Sequence, residues 1–283
     1  PGGKDHSTQG GSYTTGRKIA KEVYNFDAPL YIMYDFISIK GAGGKISSSL
    51  GNVITIKEVL EIYEPDIVRY LFAGTRPNTE FAISFDLDVI KIYEDFDKLE
   101  RTYYGKENVS DKMMAKQKRI YELSSVNKPL KKMPLQPSFR HLTNIMQIYE
   151  YDFKKVKEFY KENIKDDSDL ERLKVRYDCA KNWVENYAPE DMKFNINEKV
   201  EMKFNDNEKK LLVVLREKLK AKEYKEEELY NELYSIINAN DSNSKEFFKA
   251  CYTALIGKEK GPKLAGFILE IGQKRVVKIL EKL

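Results

Sequence analysis

Phosphate chemistry is suggested by one short run, Gly41-Ala42-Gly43-Gly44-Lys45-Ile46-Ser47-Ser48-Ser49. Glycine has no Cβ, so backbone can lie close to a ligand there. Successive backbone N–H groups in such a loop make anion-binding concavities. Lys45 adds a compact positive charge that suits phosphate, and the three hydroxyls add donors. A solvated Gly/Ser turn with one lysine has the same composition, so the surroundings decide. A second polar cluster opens the chain. It is Gly3-Lys4-Asp5-His6, followed by Gly10-Gly11-Ser12-Tyr13 and Thr15-Gly16-Arg17-Lys18, and His6 is one of only two histidines. A lone loop histidine is more often structural than functional.

Around these clusters, residues 15–24 carry a helical pattern, and residues 30–40, rich in Tyr, Ile and Phe, read as a strand entering the glycine loop. Thr55-Ile56-Lys57-Glu58 has the form of a capping box and starts a short helix on the other side. Pro65 suits the first turn of the next helix, with Gly74 as its stop. Asp86 can cap a longer helix reaching Tyr104, with Val89, Tyr93, Phe96, Leu99 and Tyr103 at helical spacing. That stripe is read as core packing. From residue 106 onward the pattern is helical: 111–123, 138–148, 152–164, a helix opened by a Ser168–Glu171 capping box, 207–221, 225–238, 244–256, 263–271 and 273–282. Residues 128–137 read as a loop and 188–206 as a polar connector. Gly257 and Gly272 are helix stops, and His141 is a packing or surface residue.

The 283 residues are enough for two or more domains with sizeable cores. A net charge of +4 permits RNA binding without demanding it. Cys179 and Cys251 stand far apart inside helical patterns, which excludes a disulfide framework and reads as reduced core residues of a cytosolic protein. No apolar run approaches the length of a membrane span.

Lys45-Ile46-Ser47-Ser48-Ser49 resembles the KMSKS signature of class I aminoacyl-tRNA synthetases in its KMSSS form. Ile46 replaces the usual Met, and Leu50 follows where that form often has Lys. Gly3-Lys4-Asp5-His6, Gly10-Gly11-Ser12-Tyr13 and Thr15-Gly16-Arg17-Lys18 are similar to the matching stretch of class I lysyl-tRNA synthetases. So are Pro137-Ser138-Phe139-Arg140-His141-Leu142, the run from Asn182 to Asp191, and Gly257-Lys258-Glu259-Lys260-Gly261-Pro262. The resemblance covers nearly the whole chain. Because the chain begins mid-motif at Pro1, it is expected to be a C-terminal fragment of something longer. The HIGH-type motif of such a site would precede it.

The resemblance implies a reaction in which the lysine carboxylate attacks the α-phosphate of ATP and expels pyrophosphate, with transfer to tRNA(Lys) following. Charge grows on the leaving phosphates, so cations and donors are needed there. Lys45, Ser47 and Ser48 are then the catalytic candidates, and Gly44, Lys45 and Ser49 the nucleotide-binding ones. Glycines let the loop close and reopen. Lys4, Asp5 and His6 would border the amino-acid pocket. The helical remainder resembles the family's anticodon-binding part. Residues 257–267 also resemble the matching stretch of bacterial glutamyl-tRNA synthetases. A helix start near Gly261 and Pro262 with Lys263 offers N–H groups and positive charge to RNA. Tyr252 is a stacking candidate and Lys249 a further cation.

The expected architecture is mostly α. Residues 1–24 would end a class I catalytic domain. Residues 25–105 would form a small α/β stem-contact region with the KISSS loop, 106–190 a helical bundle, and 191–283 a helical anticodon-binding subdomain. Residues 106–283 are expected to fold without the first 105. The intact protein would be a cytoplasmic enzyme using lysine and ATP with Mg²⁺, with no metal held by its own residues. The fragment would bind tRNA without catalysing alone and would carry no bound cofactor. A glutamyl-type synthetase, or a tRNA-binding module without catalysis, is the alternative.

Overall fold

The computed structural model describes residues 1–40, 54–199 and 202–283. Among them the chain forms thirteen α-helices and four short strands, so the mostly-α expectation holds. In chain order these are β1 (Gly2–Gly3), α1 (Ser12–Tyr24), β2 (Met33–Tyr34), β3 (Ile37–Ile39), α2 (Ile56–Ile62), α3 (Pro65–Ala73), β4 (Phe81–Ile83), α4 (Asp88–Tyr103) and α5 (Asp111–Ser124). Then follow α6 (Phe139–Ile148), α7 (Phe153–Phe159), α8 (Asp167–Asn186), α9 (Asp206–Ala221), α10 (Glu226–Ala239), α11 (Ser244–Ile256), α12 (Leu264–Ile271) and α13 (Gln273–Leu280). Two compact units divide the chain. One comprises Pro1–Phe139 and Asp166–Trp183, the other Arg140–Lys165 and Val184–Leu283.

In the first unit the strand expected over 30–40 is two strands with different partners. β2 pairs parallel with β1, and β3 pairs parallel with β4. The switch occurs at Asp35. Its backbone N–H donates to Pro77 at 2.7 Å, and its carboxylate accepts from the Phe36 N–H at 2.7 Å. The Thr55–Glu58 capping box is formed as expected, and Pro65 starts α3.

The aromatic stripe of α4 is the core. Tyr93 stacks on Phe139 at 4.0 Å and lies 6.1 Å from Tyr63, and Phe139 meets Trp183 edge-on at 5.7 Å. All four rings are fully buried. Burial of each contributes roughly 1.5–3 kcal/mol. The polar tips are satisfied: Tyr93 donates to the Ile62 carbonyl, and Trp183 to that of Phe85.

Helix α5, expected in a separate bundle beginning at residue 106, packs on α3 and α4. A cut at residue 105 would also strip α8 of its partners, since Arg176 bonds Glu64 and Asp97. Residues 106–283 therefore do not coincide with a compact unit. α8 is capped two residues earlier than expected. The Asp166 carboxylate, not Ser168, accepts from the Asp169 N–H and the Ser168 hydroxyl, and it is also paired with Lys132. α7 ends at Phe159 rather than 164.

In the second unit, α9 packs on α13 and α11, and α10 on α12. Leu211, Leu212, Leu215 and Leu219 of α9 are buried. Gly257 ends α11 with φ +68°, a left-handed conformation that glycine adopts without a Cβ penalty. The expected polar connector is in part a packed strap. Phe194, Ile196 and Phe204 are buried, the Asn197 N–H donates to the Leu255 carbonyl at 2.8 Å, and Phe194 meets Phe267. Cys179 and Cys251 are buried free thiols, and burial pushes both up.

Candidate functional site

The opening cluster of the first unit is a built turn. Lys4–Ser7 coils as a single 3₁₀ turn after β1, and α1 begins directly against it. Gly11 makes that approach possible: a Cβ there would lie 2.5 Å from the His6 carbonyl oxygen and 2.7 Å from that of Asp5. Gly11 of the Gly-Gly-Ser-Tyr run is thus a steric requirement of the turn before it. Ser12, the first residue of α1, places its hydroxyl 2.8 Å from His6 Nδ1. This contact orients an exposed imidazole and leaves Nε2 on the other side of the ring.

Lys4 is held apart from His6. Its Nζ lies 2.6 Å from Asp35 and 4.8 Å from the centre of the Phe36 ring. The hydrogen bond to Asp35 raises the Lys4 pKa, and the same bond lowers that of Asp35. Asp5 is exposed, and its carbonyl caps the turn by accepting from Thr8. Behind the turn, Tyr31 donates to the Gly3 carbonyl at 2.6 Å and stacks on Tyr13 at 4.3 Å. Of the three candidates the structure leaves His6 most available and ties Lys4 into an ion pair.

Gly44, Lys45, Ser47, Ser48 and Ser49 lie outside the described residues. Their flanks are described. Lys40, just after β3, pairs with Asp86 at 2.9 Å and Asp88 at 2.5 Å. Asp86 also accepts from the Ser84 hydroxyl and the Asp88 N–H, and these donors hold its carboxyl down at about 2. The chain re-enters at the capped start of α2.

In the second unit, Gly261, Pro262 and Lys263 precede the first residue of α12 as expected. Tyr252 does not stand free beside them. It is buried, its hydroxyl donates to the Pro262 carbonyl, and burial pushes its phenol up to about 12. Its ring lies under Gly261, where a Cβ would meet it at 2.8 Å. Tyr252 supports the turn, and its burial leaves no open ring face for a base. Lys249 is paired with Glu259, and Lys263 is exposed. His141 lies between Tyr160, 2.9 Å from Nδ1, and Glu270, 2.9 Å from Nε2, as a packing residue.

Sequence reading missed the buried charges of the first unit. Arg176 is fully buried and bonds Glu64 at 2.6 Å, Asp97 at 2.8 and 2.9 Å, and the Pro137 carbonyl at 2.7 Å. Arg172 lies 2.7 Å from Glu64, off the line of a hydrogen bond, and 3.4 Å from Glu100. Gln136 joins Asp97 and Glu100. Burial pushes Asp97 up against the pull of Arg176, whereas Arg176, facing Glu64 and Asp97, is held protonated. One signal was available: Arg176 occupies the same helical face as Leu173, Ala180 and Trp183. Among the described residues, no group of three or more His, Cys, Asp or Glu is placed to hold a metal ion, and no helix is long and apolar enough to cross a membrane.

Two family models cover most of the chain. Residues 1–127 match tRNA synthetases class I (K), and residues 153–283 match an anticodon binding domain. The chain is similar to a lysine–tRNA ligase of Borrelia garinii, 49% identical over 286 residues that cover 100% of this chain and 54% of the relative. The Treponema pallidum lysine–tRNA ligase is 44% identical over 99% of this chain and 54% of its own length. That of Thermococcus kodakarensis is 38% identical over 99% of this chain and 55% of its own. The chain thus spans about half the length of the curated relatives it matches.

Proposed function

We propose that this chain, which belongs to the class I (K) tRNA synthetases and carries an anticodon binding domain, is part of a lysine–tRNA ligase. That protein joins lysine to ATP as lysyl-adenylate and passes it to tRNA(Lys). The observation that carries this reading is the turn at Lys4–Ser7. His6 stands exposed on it, oriented by Ser12 and locked to the start of α1, within the matched region. His6 borders the lysine in this reading, and Asp5 and Lys4 shape the turn around it. The lysine carboxylate attacks the α-phosphorus, and pyrophosphate leaves. Lys45 meets the charge that grows on the leaving phosphates, with Ser47 and Ser48 as donors and Gly44 and Ser49 lining the nucleotide. Mg²⁺ enters with the phosphates of ATP, as part of the substrate. The anticodon arm meets the second unit at Lys249, Gly261, Pro262 and Lys263, with Tyr252 as the support beneath. The protein works in the cytoplasm.

The test is lysine-dependent ATP–pyrophosphate exchange by the full-length protein with Lys45→Ala. A donor that acts only in the transition state is worth about 3 kcal/mol, so single-turnover activation should slow about a hundredfold at saturating ATP. Lysine affinity should change little. An unchanged activation rate would make the loop a bystander.

A further inference from the structure

A second aromatic surface of the second unit belongs to no motif. Helix α10 turns Leu229, Leu233, Ile236 and Ile237 into the core. On its outer side stand Tyr230, 53% exposed, and Tyr234, 37% exposed. They are four residues apart, and their ring centres lie 4.9 Å apart. Tyr234 meets the half-buried Phe248 of α11 edge-on at 5.9 Å. The neighbouring Phe247 is fully buried and supplies the core at that point, so the outward rings are not needed for it. Phe248 stands one helical turn before Tyr252, whose ring underlies Gly261 and whose hydroxyl holds Pro262. Ring contacts therefore run from Tyr230 through Tyr234 to Phe248, one helical turn from the buried Tyr252. The stretch that contains Phe248 is rich in lysine. Residues 245–263 hold five lysines against two glutamates, and Lys245, Lys249 and Lys260 all act on Glu259.

We infer that Tyr230, Tyr234 and Phe248 form a stacking platform for unpaired RNA bases, with the lysine-rich stretch meeting the phosphates of the same strand. Exposed rings serve this purpose because every base has a π-face. The lysines alone would attract a duplex as well as a loop, whereas the rings select bases that are free to splay out. Tyr252 cannot fill that role, being enclosed beneath its own turn. The inference rests on the RNA-binding reading of the second unit.

The experiment titrates the 283-residue chain with an anticodon stem-loop of tRNA(Lys) carrying 2-aminopurine in the loop, and with a blunt duplex of the same stem. The combined Tyr230→Ala and Tyr234→Ala variant should lose about tenfold in affinity for the stem-loop and none for the duplex, and it should lose the quenching of the 2-aminopurine. The dependence on salt should keep its slope, since no charge is removed. Tyr230→Phe with Tyr234→Phe keeps the rings and should bind within about twofold of the parent. Both positions are exposed and alanine favours helix, so the far-ultraviolet circular dichroism should not change. Equal affinity of the alanine variant for the stem-loop, or equal loss on stem-loop and duplex, would overturn the platform. A loss of self-association in that variant with RNA binding intact would do the same and assign the rings to a second copy of the chain. If the parent chain binds neither RNA, the RNA-binding reading itself fails and the platform falls with it.

Discussion

Within the first unit, residues 1–34 and the region around Tyr93 and Arg176 are built on opposite principles. The second has fully buried rings, a fully buried arginine and two carboxylates within 3 Å of it. The first has a helix, α1, with no buried residue at all, and Val23, Tyr24, Phe26 and Leu30 stand exposed. Its geometry is set by local devices: a glycine pressed on two carbonyls, a hydroxyl on an imidazole, and the Lys4–Asp35 and Lys21–Asp27 ion pairs. The candidate amino-acid contacts sit on this lightly packed region, and the structural charges sit in the dense one. Strongly perturbed ionisable groups therefore mark the scaffold here, although such groups more often point to a functional site.

That contrast can be broken most directly at Arg176. Arg176→Ala leaves Glu64 and Asp97 buried without their partner and should cost about 3–5 kcal/mol, read as a lower midpoint in urea unfolding. A change under about 1 kcal/mol would mean that these carboxylates reach water and the core is less closed than described. Replacing Arg176 by Met together with Glu64→Gln and Asp97→Asn should recover much of the loss, since the isolated charges are then gone.

Gly11→Ala probes the other region. The added methyl must displace the Asp5 and His6 carbonyls, so α1 and the turn should separate. Amide exchange in α1 should quicken while that in α4 stays slow, and the stability read from urea unfolding should change by less than about 1 kcal/mol, because α1 has no buried residue. Equal acceleration in both helices would show that the regions unfold as one.

The smallest effect concerns Asp86, which both regions leave outside. Its folded carboxyl titrates near 2 instead of the ordinary 3.8. Depressed in the folded state, it contributes stability that is present above about pH 4 and is lost as pH falls toward 2. The parent chain should lose thermal stability over that window more steeply than Asp86→Asn. Parallel profiles would mean that the Ser84, Asp88 and Lys40 contacts do not hold in solution.

Local chemistry was legible in the sequence. The Thr55–Glu58 box, Pro65 at the start of α3, the Gly257 stop and the stripe through Val89, Tyr93 and Phe96 all follow from residues close in the chain, and all are present. Long-range pairing was not legible. Arg176 meets Glu64 across 112 residues, and no spacing rule connects them. The strand over 30–40 looked single because its change of partner depends on Pro77 and Asp35. Asp166 displaced Ser168 as the cap of α8 because a carboxylate accepts from two donors at once and also pairs with Lys132. Of the residues that shape the candidate site, Gly11 after His6 and Gly261 before Pro262 could be recognised. That Tyr252 lies beneath Gly261 could not, since an aromatic in a helical pattern reads alike whether it supports a turn or faces a ligand. Gly44, Lys45 and the three serines lie outside the described residues.

The position of Arg176 in the chain carries a consequence for synthesis. Its partners Glu64 and Asp97 leave the ribosome long before it does, and residues 140–165, which belong to the other unit, emerge in between. At about 5–20 residues per second, the 79 residues between Asp97 and Arg176 take about 4–16 s. During that interval two carboxylates and the face of Tyr93 must wait in the open. The nascent chain at this stage should be a target for holding chaperones, and pausing translation just before α8 should prolong that dependence more than pausing just after it.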